Sequence, residues 1–331
     1  MKQKKILITG GAGFIGSHLA NRLSKEGHEI VIVDNFFRSE NDADLKAILD
    51  RPNVSLIQLD LTKPESWDNV GGGYDEVYHL ASINGTELFY TIPHEVLRIG
   101  VATTMNVLEW FRSTNGKKDA KILYTSSNEA YSGALEAFGQ LAIPTPEEAP
   151  LVISDPYNPR WSYAGQKLIG ELFFIHYANA YNFRMSIVRP HNFFGPREGY
   201  KHVIPDVIER IKARVDPFPI FGADDTRSFC YIDDAVEAMQ MVMESKKTDG
   251  GTYHIGTHRE TVIKDLIEMV FNIMQWHPKE LDIKSSPAGS VKRRLGDTSK
   301  IKRDTGWEAK TELEDGLRTM IEWYIKNPKP A

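Results

Sequence analysis

Tyr163 and Lys167 stand four positions apart, on one face of an expected helix Ser162–Tyr181. A lysine cation beside a phenol favours the phenolate, so the expected effect is a lowered Tyr163 pKa and a base for a hydroxyl proton. The spacing alone suits a partly buried tyrosine and a solvated lysine equally well. A second segment, Tyr124-Thr125-Ser126-Ser127-Asn128-Glu129-Ala130-Tyr131, changes the reading. It ends an apolar run, Lys121–Ser126, expected as a strand, and open α/β sheets place ligands at the carboxyl ends of their strands. There Ser127 can hydrogen-bond the same hydroxyl as Tyr163, and Glu129 can act as acid or base beside it.

A proton taken from a carbinol needs a partner that takes the hydride, and the amino terminus supplies a place for one. Gly10-Gly11-Ala12-Gly13-Phe14-Ile15-Gly16 follows the apolar strand Lys5–Thr9 and opens a helix near Phe14. The glycines permit a tight turn, a close approach of backbone to a pyrophosphate and close helix–strand packing. The helix amino terminus adds N–H donors and a positive dipole end. Asp34 ends the second strand, where an acid can bind ribose hydroxyls and disfavours a 2′-phosphate, so the expected cofactor is NAD. Asn35 follows it. Asp60-Leu61 and Leu80-Ala81 end the third and fourth strands and are expected to line the adenine and the remaining cofactor.

The elements that must position these groups alternate. Lys5–Thr9, Glu29–Asp34, Val54–Leu59, Glu76–Leu80, Lys121–Ser126 and Met185–Arg189 read as strands. His18–Glu26, Asp42–Leu49, Pro93–Phe111 and Ser162–Tyr181 read as helices between them. The expected fold class is α/β, a Rossmann-type doubly wound parallel sheet with right-handed crossovers and a smaller α/β substrate-binding domain. Residues 1–189 are expected to form the cofactor domain. The chain is expected to return to it around 226–256, with a strand near Thr252–Gly256. Residues 190–331, with helices Val203–Arg214 and Asp233–Glu244, are expected to bind mainly substrate. The loop Ser82–Tyr90 faces the substrate without an assigned structure.

Composition limits the partners. The 331 residues exceed one typical domain, and 41% hydrophobic with 26% charged residues describe a soluble globular protein. A net charge of -5 argues against nucleic acid, no run is long and apolar enough to span a membrane, and the short Ile6-Leu7-Ile8 run makes no signal peptide. One cysteine, Cys230, read as a buried strand residue, fits a cytoplasmic setting. The ten histidines show no metal-ligand spacing, and His191 and His202 read as surface residues.

Taken in order along nearly the whole chain, these motifs resemble the extended short-chain dehydrogenase/reductases, in the NAD-dependent nucleotide-sugar epimerase/dehydratase family. The resemblance rests on Thr9-Gly10-x-x-Gly13-x-x-Gly16, Ser126-Ser127-Asn128-Glu129-Ala130-Tyr131, Tyr163-x-x-x-Lys167, Arg189-Pro190-His191-Asn192-Phe193-Phe194-Gly195-Pro196-Arg197 and Arg227-Ser228-Phe229-Cys230-Tyr231-Ile232-Asp233-Asp234. The tail Asp297-Thr298-Ser299-Lys300 with Thr305-Gly306-Trp307 also fits. It implies that Ser127, Tyr163 and Lys167 drive oxidation at sugar carbon 4 of a nucleotide-diphosphate sugar. It implies that Asn128 and Asn192 meet the substrate, that Arg227 and Arg294 sit near its diphosphate, and that Pro93–Phe111 and Ser162–Tyr181 pair in a homodimer.

A 4-ketone acidifies carbons 3 and 5 and permits loss of a neighbouring carboxylate. Family 4,6-dehydratases carry Asp-Glu where this chain has Asn128-Glu129, and an asparagine cannot serve as the general acid. Simple 4-epimerases usually lack the glutamate. Family decarboxylases carry Ser-Glu, and Pro159-Arg160-Trp161-Ser162-Tyr163 and Arg294 also resemble them. Decarboxylation of a nucleotide-linked uronic acid is therefore expected first, epimerisation second and dehydration third. The Ala130-Tyr131-Ser132-Gly133 stretch and Gly100, where many relatives have Asn, depart from the family pattern and point to an unusual sugar. An NAD-binding regulator would share the glycine loop without needing Ser127, Tyr163 and Lys167 together. A simple alcohol dehydrogenase would release NADH.

Overall fold

A computed structural model describes residues 2–286 and 291–328. The amino-terminal half runs β1 (Lys5–Thr9), α1 (Phe14–Lys25), β2 (Glu29–Asp34), α2 (Ala43–Leu49), β3 (Val54–Gln58), β4 (Glu76–His79), α3 (Thr86–Thr91), α4 (Pro93–Ser113), β5 (Lys121–Thr125), α5 (Gly133–Phe138), α6 (Trp161–Tyr181) and β6 (Arg184–Pro190). There follow β7 (Phe193–Phe194), α7 (Val203–Lys212), β8 (Phe218–Phe221), β9 (Thr226–Arg227), β10 (Cys230–Tyr231), α8 (Ile232–Glu244) and β11 (Thr252–Ile255). The chain ends with β12 (Thr261–Val262), α9 (Ile263–Met274), β13 (Leu281–Lys284), β14 (Arg293–Arg294), α10 (Ser299–Thr305) and α11 (Leu313–Lys326).

Seven parallel strands form the main sheet in the order β11-β6-β5-β4-β1-β2-β3. Because β1 pairs with both β2 and β4, the strand order reverses there, and that reversal opens a crevice at the carboxyl ends of the strands. The strands are apolar on both faces, as a sheet covered twice requires. Ile6, Ile8, Ile30 and Ile32 pack on one side with Leu19 and Leu23 of α1 and Val236 and Met239 of α8. Leu7, Val31 and Val77 pack on the other with Val107 and Trp110 of α4 and Phe174 of α6.

Differences from the sequence expectation are local. β11 pairs in parallel with β6, so the chain does return to the sheet. The unassigned Ser82–Tyr90 segment contains most of α3, and 133–138 forms an additional helix, α5. The two-residue strands β7, β9, β10, β12 and β14 are too short to carry a hydrophobic period. Gly100 has a packing reason: a Cβ there would fall 1.6 Å from Oε1 of Gln166, whose Nε2 donates to Ser82 Oγ. A larger residue at this α4 position would displace that bridge to the loop after β4.

Candidate active site

All the residues expected to meet the cofactor line one cleft of about 1010 Å³ above the crevice. Gly10 takes φ +69, and a Cβ there would lie 2.9 Å from the Ala81 nitrogen. A Cβ on Gly16 would lie 2.4 Å from the Gly10 oxygen, so only glycine lets α1 start against the loop. Gly13 stands at the amino end of α1 without a capping side chain, leaving the first-turn amides of Phe14, Ile15 and Gly16 facing a ligand space. Asp34 accepts from Ala12 N at 3.1 Å and from Phe36 N and Ser39 Oγ at 2.8 Å, joining the phosphate loop to the loop after β2. Asp60 accepts from Thr62 N and Oγ1, a turn that orients Leu61. Asn35 turns its own loop by accepting from Phe37 N. Leu80 and Ala81 hang on Thr9 through their amides. The glycine cradle, helix end and carboxylate fit a dinucleotide.

At the other end of the cleft, α6 presents Tyr163 and Lys167, and β5 runs into a short turn of helix, Asn128–Tyr131, that starts at Ser127. Lys167 Nζ donates to Thr125 O at 2.8 Å and lies 5.7 Å from the centre of the Tyr163 ring. Phe89 of α3 stacks on that ring, centroids 4.9 Å apart. Both side chains are buried, and this corrects the expected pKa. Burial pushes the Tyr163 phenol upward and outweighs the opposing pull of Ser127, while Glu129 adds to the rise and Arg38 opposes it. Burial brings Lys167 down to about 7, against the field of Glu171. A lysine that loses its own charge so readily does not by itself make the phenolate.

Glu129 is held between two guanidiniums, from Arg294 Nη1 at 2.7 Å and Arg160 Nη2 at 3.3 Å. Burial would raise its pKa, but Arg294, then Arg160, overcome this and hold the carboxyl below its ordinary value. Glu129 is therefore a standing carboxylate rather than a ready proton donor. Asn128 is buried in the cleft wall, its Nδ2 without a hydrogen-bond partner. Asn192, at φ 39, donates Nδ2 to Ser228 O at 2.9 Å, tying the loop after β6 to the 228 segment while still lining the cleft.

Arg227 lies on β9 in register with Arg294 of β14; Arg294 lines the cleft, and Arg227 is close enough to feel the charges of Arg294, Glu129 and Arg160. Its guanidinium turns to Thr226 O and Asp225, and burial, then Arg294, lower its pKa to about 10. His191 is a correction. It is fully buried, with Nε2 3.2 Å from Tyr131 Oη and a 4.8 Å ring contact to His254. Burial, then Arg294, lower its pKa to about 3, so it stays neutral. His202 is half-buried and forms a 3.5 Å pair with Glu198. Cys230 is a buried strand residue, as expected.

Arg160, in the approach to Tyr163 that resembles the decarboxylases, lies at the amino end of α6 facing Glu129. Two cleft residues gave little sign of themselves in the sequence. Arg38 sits in the loop after β2, and Glu198 is a buried acid in the loop after β7, its pKa pushed well up by burial. No motif spacing pointed to either.

Fold and site together define an NAD-dependent oxidoreductase-type domain of the extended short-chain dehydrogenase/reductase kind. The model of the NAD dependent epimerase/dehydratase family matches residues 6–256, and the chain belongs to that family. It is an enzyme, and its cofactor is NAD. The chain is 31% identical over 97% of its length to a UDP-N-acetyl-alpha-D-glucosaminuronate decarboxylase of Bacillus cytotoxicus, covering 98% of that protein. It is 30% identical over 96% of its length to UDP-glucuronic acid decarboxylase 6 of Arabidopsis thaliana, covering 88% of that one. Among solved structures, a UDP-glucose 4-epimerase of Thermotoga maritima with UDP-glucose superposes with a TM-score of 0.84 at 27% identity, over 98% of this chain and 100% of that one.

Proposed function

We propose that this enzyme decarboxylates a nucleotide-diphosphate-linked uronic acid through transient oxidation at sugar carbon 4. The observation that carries the reading is Glu129, kept ionised by Arg160 and Arg294 beside an Asn128 that cannot act as an acid. Elimination of a hydroxyl needs a proton donor at this point, and neither side chain is one. Loss of a carboxylate needs none there, and a guanidinium pair suits an anionic sugar. The two decarboxylase relatives support the same choice.

NAD, when bound, accepts and later returns the hydride of carbon 4. The positive charge of bound NAD would favour the Tyr163 phenolate, whose Oη takes the proton of the 4-hydroxyl, with Ser127 Oγ positioned to hold that oxygen. The ketone at carbon 4 makes the substrate a β-keto acid. The carbon 5–carboxylate bond breaks, carbon dioxide leaves, and its electron pair forms the enolate. Asn128, Ser127 and Lys167 line that end of the cleft. A proton from solvent adds to carbon 5, and when the hydride goes back to carbon 4 Tyr163 returns the proton it took to the carbon 4 oxygen. Residues 1–189, with the strand returning at Thr252–Ile255, would hold the cofactor, and 190–331 mainly the sugar nucleotide.

Incubation with NAD and a panel of nucleotide sugars, followed by product masses, tests this. Loss of carbon dioxide from a uronic acid is expected; loss of water overturns the reading of Asn128. No change of mass with inversion at carbon 4 makes it an epimerase, the second reading, which the likeness to the Thermotoga enzyme supports. We also propose a cytoplasmic homodimer. Leu97, Met105, Ile169, Leu172 and Tyr181 are exposed on α4 and α6, which pack side by side, and a second copy would cover them. Sedimentation equilibrium at twice the chain mass is expected.

A further inference from the structure

The cleft contains a cation to which the mechanism assigns no task. Arg38 leaves the loop after β2 and crosses the cleft toward both facing loops. Its Nη1 lies 3.0 Å from where a Cβ on Gly85 would stand, and its Nη2 3.9 Å from where one on Gly199 would stand. Gly85, at φ +136, gives the loop after β4 a backbone path free of side chain beside the guanidinium. The charge is near enough to act on the Tyr163 phenol.

The other cations lining the cleft are engaged. Lys167 donates to Thr125 O, Arg98 pairs with Glu95, Arg197 with Asp42, Arg294 with Glu129 and Lys326 with Glu322. Among the described residues, Arg38 alone of these cations makes no hydrogen bond or ion pair. Arg197 adds a second observation. Its side chain is 8% exposed, it reaches Ala12 O of the phosphate loop at 3.3 Å, and its buried Nη1 has no partner. The same cleft thus holds two arginines with donors left unsatisfied, Arg197 against the phosphate loop and Arg38 on the loop after β2.

We propose that Arg38 is a clamp on the cofactor's diphosphate. A guanidinium fork matches two phosphate oxygens. Arg38 and its neighbour Ser39 belong to the loop that Asp34 ties to the phosphate loop. Arg160 and Arg294 are taken up by Glu129, whereas the loop of Arg38 is the one joined to the phosphate loop, so the cofactor's diphosphate is the match. The clamp has a use that rests on the proposed reaction. A cycle that oxidises and then reduces the same sugar fails if the reduced cofactor departs midway, so the cofactor must be retained through the turnover.

Calorimetric titration of wild-type, Arg38→Met and Arg38→Lys protein with NAD, AMP and UDP tests the clamp, together with the rate at which bound NAD exchanges for labelled NAD. Arg38→Met is expected to weaken NAD binding roughly tenfold to a hundredfold and to speed exchange correspondingly. AMP and UDP affinities stay unchanged, and Arg38→Lys recovers part of the loss, since a point charge lacks the fork. Because Arg38 makes no bond within the protein, the unfolding midpoint without ligand is expected to match wild type. NAD affinity within about twofold of wild type overturns the clamp. So does a loss confined to UDP, which would assign Arg38 to the substrate. The binding result is independent of the product assay, so a failed decarboxylation leaves it standing, and an intact NAD affinity sinks it alone.

Discussion

Replacing Glu171 by Gln should unlatch the catalytic centre from within. Glu171 lies on α6 two turns beyond Tyr163, and Arg189 on β6 just before the loop that carries Asn192. Their side chains are 3% and 4% exposed and meet twice, Nε to Oε1 at 2.8 Å and Nη2 to Oε2 at 2.7 Å. Ser126, the residue before Ser127, donates to the same carboxylate at 2.5 Å, and Arg189 Nη1 donates to Glu147 O at 2.8 Å. One buried ion pair therefore joins the strand end bearing Ser127, the helix bearing Tyr163 and Lys167, and the strand leading to Asn192. Glu171→Gln leaves an uncompensated guanidinium in the core and turns an amide N–H toward a donor, at a cost of about 3–5 kcal/mol. Urea unfolding with an unchanged slope and a lowered midpoint is the expected result. Replacing both partners by apolar residues, Glu171→Leu with Arg189→Met, removes the stranded charge and should destabilise less than Glu171→Gln alone. A Glu171→Gln protein within about 1 kcal/mol of wild type, or a double variant weaker than the single, would refute the argument.

Tyr163→Phe should bind NAD like the wild type and lose roughly a hundredfold to ten-thousandfold in turnover, the range of a general base; an active variant sinks the assignment. Net NADH should stay near zero during wild-type turnover, and absorbance at the reduced cofactor's band checks it. Lys167 titrates at about 7 in the fold and near its ordinary 10.5 in the unfolded chain, so between those values the unfolded chain holds the extra proton. Its contribution to stability therefore rises with pH above 7 in the ligand-free protein. Lys167→Met should flatten that rise, seen as a smaller gain in urea midpoint from pH 7 to 9, and equal gains would contradict the burial argument. Gly16→Ala places a methyl 2.4 Å from the Gly10 oxygen and should weaken NAD binding roughly tenfold or more, measured by equilibrium dialysis.

The strands of the cofactor half were legible because a doubly covered parallel sheet requires continuous apolar runs, and Lys5–Thr9 and Glu29–Asp34 have the bounds expected of them. Helix ends were legible where a residue marks them: Asp42 caps α2 by accepting from Leu45 N, and Pro93 opens α4. The two-residue strands were not legible, since they hold by pairing with segments far along the chain. The protonation of the site was also misread from spacing. Tyr163 and Lys167 are a turn apart whatever surrounds them, but their pKa values follow from burial, which the spacing of two residues does not contain.

Neighbouring residues alone dictate the cofactor loop, whose glycines answer to local backbone geometry, and the Tyr163–Lys167 pair, which one helix places together. The ionisation of Glu129 has no such local source, because the arginines that hold it come from positions 160 and 294. The same holds for Arg227, which β-pairing sets beside Arg294, and for Arg38, which meets Gly85 and Gly199 only when three loops converge at the sheet's carboxyl edge. Local geometry is written in neighbouring residues; charge and hydrogen-bond partnership depend on which distant segments the fold brings within a few ångströms.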